Sequence, residues 1–302
     1  MNSQQAVRLA MQNRTIIPAF NIPYLPMMEP VVQAIVDEDS LAMIQVARLE
    51  WEKFESQSPE AVAKEYQKFG KEGYTLLHLD HVPVIDEDQM KVDYISIIKR
   101  ALDVGYQSVM VDGSRLPLEE NISVTKEVSE VAKAFGAAVE AELGAVSGHE
   151  GSGIGLSYEE LFTSKKGFTK PEEAKQFAKE SGCDWMSVAA GSFHGAIASS
   201  TKHLKKPQAR LDIDHIATLF EVTGNMPLVL HGGSGIEQDY ILKAMANGIA
   251  KINVGTEIRQ PYEFALEEKP GDIAYAQEKV YERARWVIHE FLRTTGNHSK
   301  LK

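Results

Sequence analysis

Three histidines each follow a stretch of strand-like residues, and this placement suggests metal chemistry. They are His81 in LLHLDH, His194 in VAAGSFHG and His231 in LVLHGGSG. Neutral imidazole is the commonest metal ligand, and three such ligands can hold a catalytic zinc with one coordination position open to substrate or water. We therefore predict a Zn²⁺ site, provided that the fold brings these three strand ends together.

The elements that must position these histidines are short apolar segments rich in β-formers, with turn residues after them. Several are nearly continuous apolar runs, as expected of parallel strands buried on both faces. Helical patterns lie between them, and several of these end at the suitable C-cap residues Gly105, Gly136, Gly182 and Gly248. The predicted strands are 16–21, 41–47, 74–80, 107–113, 137–143, 184–191, 227–233 and 249–255.

Eight strands alternating with helices predict an α/β fold, a closed (β/α)8 TIM barrel, rather than an open sheet. We expect residues 1–302 to form one domain, with an additional C-terminal helix after the eighth strand. In such barrels the active site lies at the C-terminal ends of the strands. Polar residues collect at these ends, which supports a site there; they include Asn21, Asp80, Asp112, Glu140, Glu142 and Asn253.

A small-residue turn, GGSG at 232–235, follows the seventh predicted strand and precedes a helical pattern. Backbone amides in such a turn bind anions, and the Ser234 hydroxyl adds another donor. Barrels commonly hold phosphate at this position. Tight turns also use glycine for conformational reasons alone, so the motif has a purely structural alternative. NVGT at 253–256 would form the second wall of a phosphate pocket.

Carboxylates near these histidines supply candidates for acid–base chemistry. Asp80 adjoins His81 and would face the substrate, whereas Glu142 could contact a metal ligand or bind the metal in an alternative position. Glu150 lies on the Gly- and Ser-rich loop 147–157, where it is either a solvated charge or a general base that closes over the substrate. Whether His78, on the strand face of Asp80, or His149 contributes stays open.

Composition restricts the partners. The net charge of −11 argues against nucleic acid and against an anionic membrane, although a locally positive pocket can still bind an anionic substrate. The single cysteine, Cys183, cannot form an internal disulfide, and no apolar run resembles a signal peptide or a membrane span. We expect a cytoplasmic, soluble protein.

The motifs in this order resemble those of the class II, zinc-dependent fructose- and tagatose-bisphosphate aldolases, from Asn21 to Thr256. The segments that carry the resemblance are HLDH (78–81), VMVDGSRLPLEENI (109–122), VEAELG (139–144), GSFHG (191–195), LVLHGGSGI (228–236) and KINVGTE (251–257). The resemblance implies a (β/α)8 barrel that cleaves or forms a ketose phosphate or bisphosphate through a dihydroxyacetone phosphate enediolate. It also implies a homo-oligomer, a dimer or a tetramer.

The resemblance assigns roles to individual residues. It implies that His81, His194 and His231 bind zinc, that Glu142 serves a metal in an alternative position, and that Asp80 assists at the aldehyde or C4 oxygen. Glu150 corresponds to the loop glutamate that moves the proton on the dihydroxyacetone carbon. The residues that match substrate and phosphate binders are Asn21, Gly195, Gly232, Ser234, Asn253 and Thr256.

Departures from the family pattern concern the substrate side of the site. Ala47 replaces a serine that contacts substrate in many members, the segment after His194 differs, and Gly255 replaces a frequent aspartate. These changes leave the ketose open: fructose- or tagatose-bisphosphate, or a divergent ketose phosphate. Two other functions also stay open, a sugar-phosphate-binding barrel that has lost catalysis and a zinc metallohydrolase.

Overall fold

The protein's structure, a computed structural model, describes residues 1–144, 158–192, 209–233 and 235–302. Eight parallel strands pair in chain order, and the eighth pairs with the first, so the sheet is a closed barrel. The predicted barrel is therefore confirmed. The strands are β1 (Ile17–Asn21), β2 (Ala42–Ala47), β3 (Thr75–Pro83), β4 (Ser108–Asp112), β5 (Ala138–Leu143), β6 (Trp185–Val188), β7 (Leu228–Leu230) and β8 (Ile249–Val254).

Helices of the described residues connect the strands and surround the barrel. They are α1 (Ser3–Gln12), α2 (Met28–Asp37), α3 (Arg48–Lys53), α4 (Pro59–Phe69), α5 (Tyr94–Asp103), α6 (Leu118–Ala134), α7 (Tyr158–Ser164), α8 (Pro171–Glu180), α9 (Ile213–Val222), α10 (Gln238–Met245), α11 (Thr256–Glu268), α12 (Ile273–Trp286) and α13 (Asn297–Lys300). A 3₁₀ turn, Leu25–Met27, precedes α2, and a π-helical segment, Val287–Phe291, follows α12. The predicted C-terminal helix is thus present as α12. No helix in the described ranges is long and apolar enough to cross a membrane.

Glycines end several helices as the sequence predicts. Gly105, Gly136, Gly182 and Gly248 all have positive φ, from 68° to 102°. A side chain at such a φ is disfavoured, so glycine lets the chain turn back toward the next strand at little steric cost.

The inside of the barrel changes from apolar to polar along the strands. At the N-terminal end, strand residues such as Ile17, Met43 and Trp185 pack with α1 residues such as Val7. Further up, the inward positions carry polar side chains. Because side chains alternate along a strand, Leu76, His78 and Asp80 share one face of β3, just as Ala138, Glu140 and Glu142 do on β5. Helix α1 closes the lower end, and the polar layers face the opposite mouth.

Strand β3 extends past its predicted end at Asp80 to Pro83, and its pairing with β4 is irregular between Leu79 and Val82. In a regular strand two adjacent residues point to opposite faces. Across an irregularity of this kind the chain can re-aim a side chain. Here Asp80 and His81 both direct ligand atoms toward His231, with all of these atoms within 4.8 Å of one another.

Candidate metal centre and active site

Two of the three predicted zinc ligands lie side by side at the mouth of the barrel. The rings of His81, on β3, and His231, just after β7, have centroids 4.5 Å apart. Their Nδ1 atoms lie 3.5 Å and 3.3 Å from the same oxygen, Oε2 of Glu142 on β5. Three strands thus direct ligand atoms to one point. The third predicted ligand, His194, lies outside the described residues.

Asp112, at the end of β4, completes this group of ligand atoms. Its Oδ2 is 3.1 Å from His81 Nδ1, and its Oδ1 accepts hydrogen bonds from the backbone N–H and hydroxyl of Ser114. The ligand atoms of His81, Asp112 and Glu142 all lie within 4.8 Å of one another. Asp112 is therefore placed to support a metal bound by the histidines, or to bind one directly in the position predicted for Glu142.

The electrostatics of this group fit a divalent cation. Burial opposes protonation of His81, but Asp80, Asp112 and Glu142 outweigh it and raise the pKa of the imidazole to about 10. Burial also raises the pKa of Glu142, and the neighbouring Asp112 carboxylate adds to that increase. The shift of His81 shows that the three carboxylates favour a positive charge at this point. Imidazole nitrogens with carboxylate oxygens form a donor set that suits zinc.

A second layer of buried residues lies below the histidines and supports them. Glu140 Oε1 is 2.8 Å from His231 Nε2, while its Oε2 bonds Lys251 Nζ at 2.9 Å and Trp185 Nε1 at 2.6 Å. Burial would raise the pKa of Glu140, but the ammonium of Lys251 and the neighbouring histidines hold it well below its usual range. Glu140 is therefore an ionised acceptor, which places the proton of His231 on Nε2 and leaves Nδ1 to face the metal position.

His78 belongs to this lower layer. Its Nδ1 is 2.9 Å from the Ser108 hydroxyl, and its Nε2 is 3.5 Å from Glu140. Burial and the charge of Lys251 lower its pKa to about 3, so it is a neutral ring. Although His78, Asp80 and Glu140 also have neighbouring ligand atoms, the Lys251 ammonium already neutralises Glu140. His78 is thus better placed to support the layer than to bind the metal.

Asp80 is held by three amide side chains. Asn21 and Gln45 donate to its Oδ2 at 2.9 Å and 3.1 Å, and Asn253 donates to its Oδ1 at 2.9 Å. Burial alone would raise the pKa of Asp80, but the adjacent His81 and the other nearby cationic groups lower it. The result is a buried, ionised and rigidly oriented carboxylate beside the metal position.

Glu50 is a further carboxyl group of the site that the sequence did not single out. It lies on α3, is 9% exposed, and its Oε2 accepts hydrogen bonds from the Ala47 N–H (2.8 Å) and from Asn21 Nδ2 (3.2 Å). Asn21 therefore bridges Glu50 and Asp80. Burial, with a contribution from Asp80, raises the pKa of Glu50 to about 8.

The turns after β7 and β8 form the predicted phosphate side. Gly232 has a φ of 69°, and a Cβ at Gly233 would lie 2.8 Å from Ile252 Cδ1 and 3.2 Å from the Asn253 carbonyl oxygen. Glycine thus lets the first turn pack against β8. Thr256 is the first residue of α11, so its backbone N–H is free of intrahelical bonding and faces the N-terminal end of the helix.

The predicted site residues divide into two groups. The structure brings together Asn21, Asp80, His81, Glu142, His231 and Asn253, and it places Gly232 and Thr256 at the neighbouring strand ends. Glu150, His194, Gly195 and Ser234 lie outside the described residues. Asn253 bonds Lys251 as well as Asp80, so its amide positions the carboxylate, whereas its predicted contact with phosphate stays a prediction.

Alternation along the strands relates some of these supporting residues to the predicted site residues. Glu140 precedes Glu142 by two residues and Lys251 precedes Asn253 by two, so period-two alternation puts each pair on one face of its strand. Asp112 stood at a predicted strand end, but nothing in the sequence paired it with His81. Glu50 lies three residues after the end of β2, within a short helix that the strand pattern does not predict.

The geometry defines a parallel β/α barrel with a cluster of potential metal ligands at the C-terminal ends of its strands. Comparison with known proteins then gives the family: residues 1–299 match the profile of fructose-bisphosphate aldolase class-II. The chain belongs to this family.

Two relatives of the chain are named for different aldolase activities. A fructose-bisphosphate aldolase of Streptococcus pneumoniae is 34% identical over 216 residues, which cover 70% of this chain and 64% of the relative. A 6-phospho-5-dehydro-2-deoxy-D-gluconate aldolase of Halalkalibacterium halodurans is 39% identical over 191 residues, or 63% of this chain and 56% of that protein. The chain thus aligns with less than two thirds of these relatives' lengths.

Solved structures resemble the chain over nearly its whole length. The YdjI aldolase of Escherichia coli K12 has a TM-score of 0.75 at 26% identity and covers 98% of each chain. A putative fructose-1,6-bisphosphate aldolase of Coccidioides immitis has a TM-score of 0.78 at 24% identity, with 99% of this chain and 98% of the other covered, and supports the fold alone.

Proposed function

We propose that this chain is a zinc-dependent class II aldolase that cleaves or forms a ketose phosphate through a dihydroxyacetone phosphate enediolate. The observation that carries the proposal is the pairing of His81 and His231 around Glu142, directly beside the oriented carboxylate of Asp80. A Lewis acid next to a base that can act on a hydroxyl group is the combination that aldol cleavage needs.

His81, His231 and the predicted ligand His194 would hold the metal, with Asp112 and Glu142 close enough to support it. When bound, zinc supplies a Lewis acid that polarises the ketone carbonyl and stabilises the enediolate. Glu140 keeps His231 in the tautomer that presents Nδ1, and Lys251 keeps Glu140 ionised.

In the cleavage direction, Asp80 takes the proton of the C4 hydroxyl as the C3–C4 bond breaks and the aldehyde leaves. Its three amide donors keep its oxygens in place for this transfer. Glu150 then gives a proton to C3 of the enediolate, which yields dihydroxyacetone phosphate. The turns at Gly232–Gly233 and Thr256, with Gly195 and Ser234, hold the phosphate through backbone N–H groups and hydroxyls.

The proposal is tested by measuring dihydroxyacetone phosphate release from a panel of ketose phosphates, with and without a chelator. An aldolase releases it only with metal. A barrel that has lost catalysis binds these compounds without releasing it, and a metallohydrolase releases inorganic phosphate or another hydrolysis product instead. The names of the relatives include two different substrates, so the panel must contain both bisphosphates and monophosphates. A cytoplasmic location and a dimeric or tetrameric state stay predictions.

Glu150→Ala separates the proton-transfer step from the rest. It is expected to keep zinc and to slow exchange of the C–H proton of dihydroxyacetone phosphate with solvent by roughly 10²-fold or more, as for a lost general base. Exchange at the parent rate would show that another residue moves this proton.

A further inference from the structure

Glu50 has no place in the reaction proposed above, although it lies within the site. It is almost fully buried, and its carboxyl group shares one hydrogen-bond donor, Asn21 Nδ2, with Asp80. The shared donor makes the two carboxyl groups neighbours, so a substrate group that binds Asp80 also approaches Glu50. In the proposed reaction that group is the C4 oxygen, which becomes the aldehyde oxygen.

A structural role accounts for only part of this placement. Glu50 is the third residue of α3, and its bond to the Ala47 N–H caps that helix. Both this bond and the bond from Asn21 are accepted by Oε2. Capping a six-residue helix does not require the bridge to Asp80.

The charges around Glu50 indicate whether this side of the site suits a phosphate or an uncharged group. Arg259, the cation whose charge acts on Glu50, is bound by both oxygens of Glu263 at 2.8 Å. Arg48, at the start of α3, bonds Glu52 at 2.7 Å and lies 3.6 Å from Asp86. Phosphate groups in proteins are bound by cations and by N–H donors, and both of these cations are already held by carboxylates.

A hydroxyl group fits this environment better than a phosphate. Asp80 and Glu50 both present carboxyl oxygens on this side of the site. Such oxygens accept a hydrogen bond from a hydroxyl group, which carries no charge that would have to be neutralised on burial, whereas a phosphate brings further acceptor oxygens and negative charge.

We propose that Glu50 binds a hydroxyl group of the aldehyde half of the substrate and selects an unphosphorylated polyhydroxy aldehyde over a phosphorylated one. The proposal rests on the aldolase function inferred above and extends it: the preferred substrate is a ketose phosphorylated at the dihydroxyacetone end alone.

The test compares two acceptors in the condensation direction, glyceraldehyde and glyceraldehyde 3-phosphate, each with dihydroxyacetone phosphate and the zinc-loaded protein. The readout is the ratio of the two kcat/KM values, because discrimination lies in the transition state. We expect the parent to favour glyceraldehyde. Glu50→Ala should reduce this ratio by roughly tenfold or more, as for a lost hydrogen bond in a buried site, chiefly through glyceraldehyde.

Two variants control for folding and for charge. Glu50→Gln keeps an acceptor for the Ala47 N–H and a side chain that can both donate and accept, so it should restore most of the ratio. Glu130→Gln changes an exposed glutamate of α6, away from Arg48 and its partners, and should leave the ratio at the parent value. Loss of the cap alone would lower kcat/KM for both acceptors equally.

Three results overturn the proposal. One is a parent that prefers glyceraldehyde 3-phosphate, and another is a Glu50→Ala protein that loses activity equally on both acceptors. Solvent exchange of the dihydroxyacetone phosphate proton, measured on the parent protein, distinguishes these two results from a third. A parent that neither exchanges this proton nor condenses either acceptor refutes the aldolase function and the role of Glu50 with it.

Discussion

Glu140 and His231 form a buried hydrogen bond of 2.8 Å that fixes which face of the imidazole can bind a metal. Because the carboxylate accepts from Nε2, the metal position must lie on the Nδ1 side, where Glu142 is 3.3 Å away. Glu140→Gln keeps the shape but weakens this acceptor, so zinc affinity is expected to fall about 10–100-fold. Chelator competition measures this affinity, and Glu119→Gln, at an exposed position of α6, is the control. Unchanged affinity would show that the tautomer is set elsewhere.

Lys251 should matter chiefly for stability. Its removal leaves Glu140 as a buried carboxylate without its cation, which costs about 3–5 kcal/mol in other proteins. Lys251→Met should therefore lower the free energy of unfolding of the metal-free protein by about that amount, measured by denaturant titration. The double variant Lys251→Met/Glu140→Gln removes both charges and should recover a large part of the loss. A double variant as unstable as the single one would contradict this account of the pair.

Asp80→Asn separates bond cleavage from metal binding. An amide at this position is a poor base, and its NH₂ group meets the donors of Asn21, Gln45 and Asn253. We expect cleavage to slow by roughly 10²-fold or more, while zinc content and dihydroxyacetone phosphate proton exchange are much less affected. Metal analysis and solvent exchange monitored by NMR check the two halves. Equal losses in cleavage and exchange would place Asp80 in both steps.

Glu50 should make the stability of the fold depend on pH. Its pKa is raised from 4.5 to about 8 in the folded protein, so between these values the unfolded chain is ionised while the folded chain keeps the proton. Stability contributed by this residue therefore falls as pH rises from about 4.5 to 8. Glu50→Gln removes the effect, so the variant should gain on the order of 2 kcal/mol relative to the parent between pH 5 and pH 8. Parallel stability curves for the two proteins would contradict the raised pKa.

Gly233→Ala should weaken phosphate binding. The added methyl group would lie 2.8 Å from Ile252 Cδ1 and 3.2 Å from a backbone carbonyl oxygen, so the turn must shift. We expect KM for dihydroxyacetone phosphate to rise roughly tenfold, as for the loss of one charge-assisted hydrogen bond. Gly224→Ala, in the turn after α9, is the control for a strained glycine outside the site, since its φ is 71° and its methyl group would meet nothing within 4 Å. Equal effects of the two variants would argue against a specific role of the first turn.

The sequence predicted the barrel well because buried parallel strands leave a strong local pattern. Apolar runs ending in Asp80–His81, Asp112 and His231 located both the strands and the end at which their polar residues meet. The lengths were less accurate: β7 is only Leu228–Leu230, and β3 continues to Pro83. These limits depend on pairing with neighbouring strands, which local composition does not contain.

The features of the site that the sequence did not predict are contacts between residues of different strands and helices. The bond between Glu140 and Lys251 joins β5 to β8, and the bridge from Glu50 through Asn21 joins α3, β1 and β3. Taken alone, each of these residues is explained by its local position, as a charge near a strand end or as a helix cap. Only the closed barrel brings the partners together.

Because of the irregularity in β3, two consecutive residues are held by opposite sides of the barrel. Asp80 is anchored by side chains from β1, β2 and β8, whereas His81 is anchored by Asp112 of β4 and Glu142 of β5. Mutations around β1 and β2 can therefore accumulate without touching the contacts that orient the imidazole. Proteins with this barrel can therefore evolve specificity for a different aldehyde while the residues that orient the metal ligand stay unchanged.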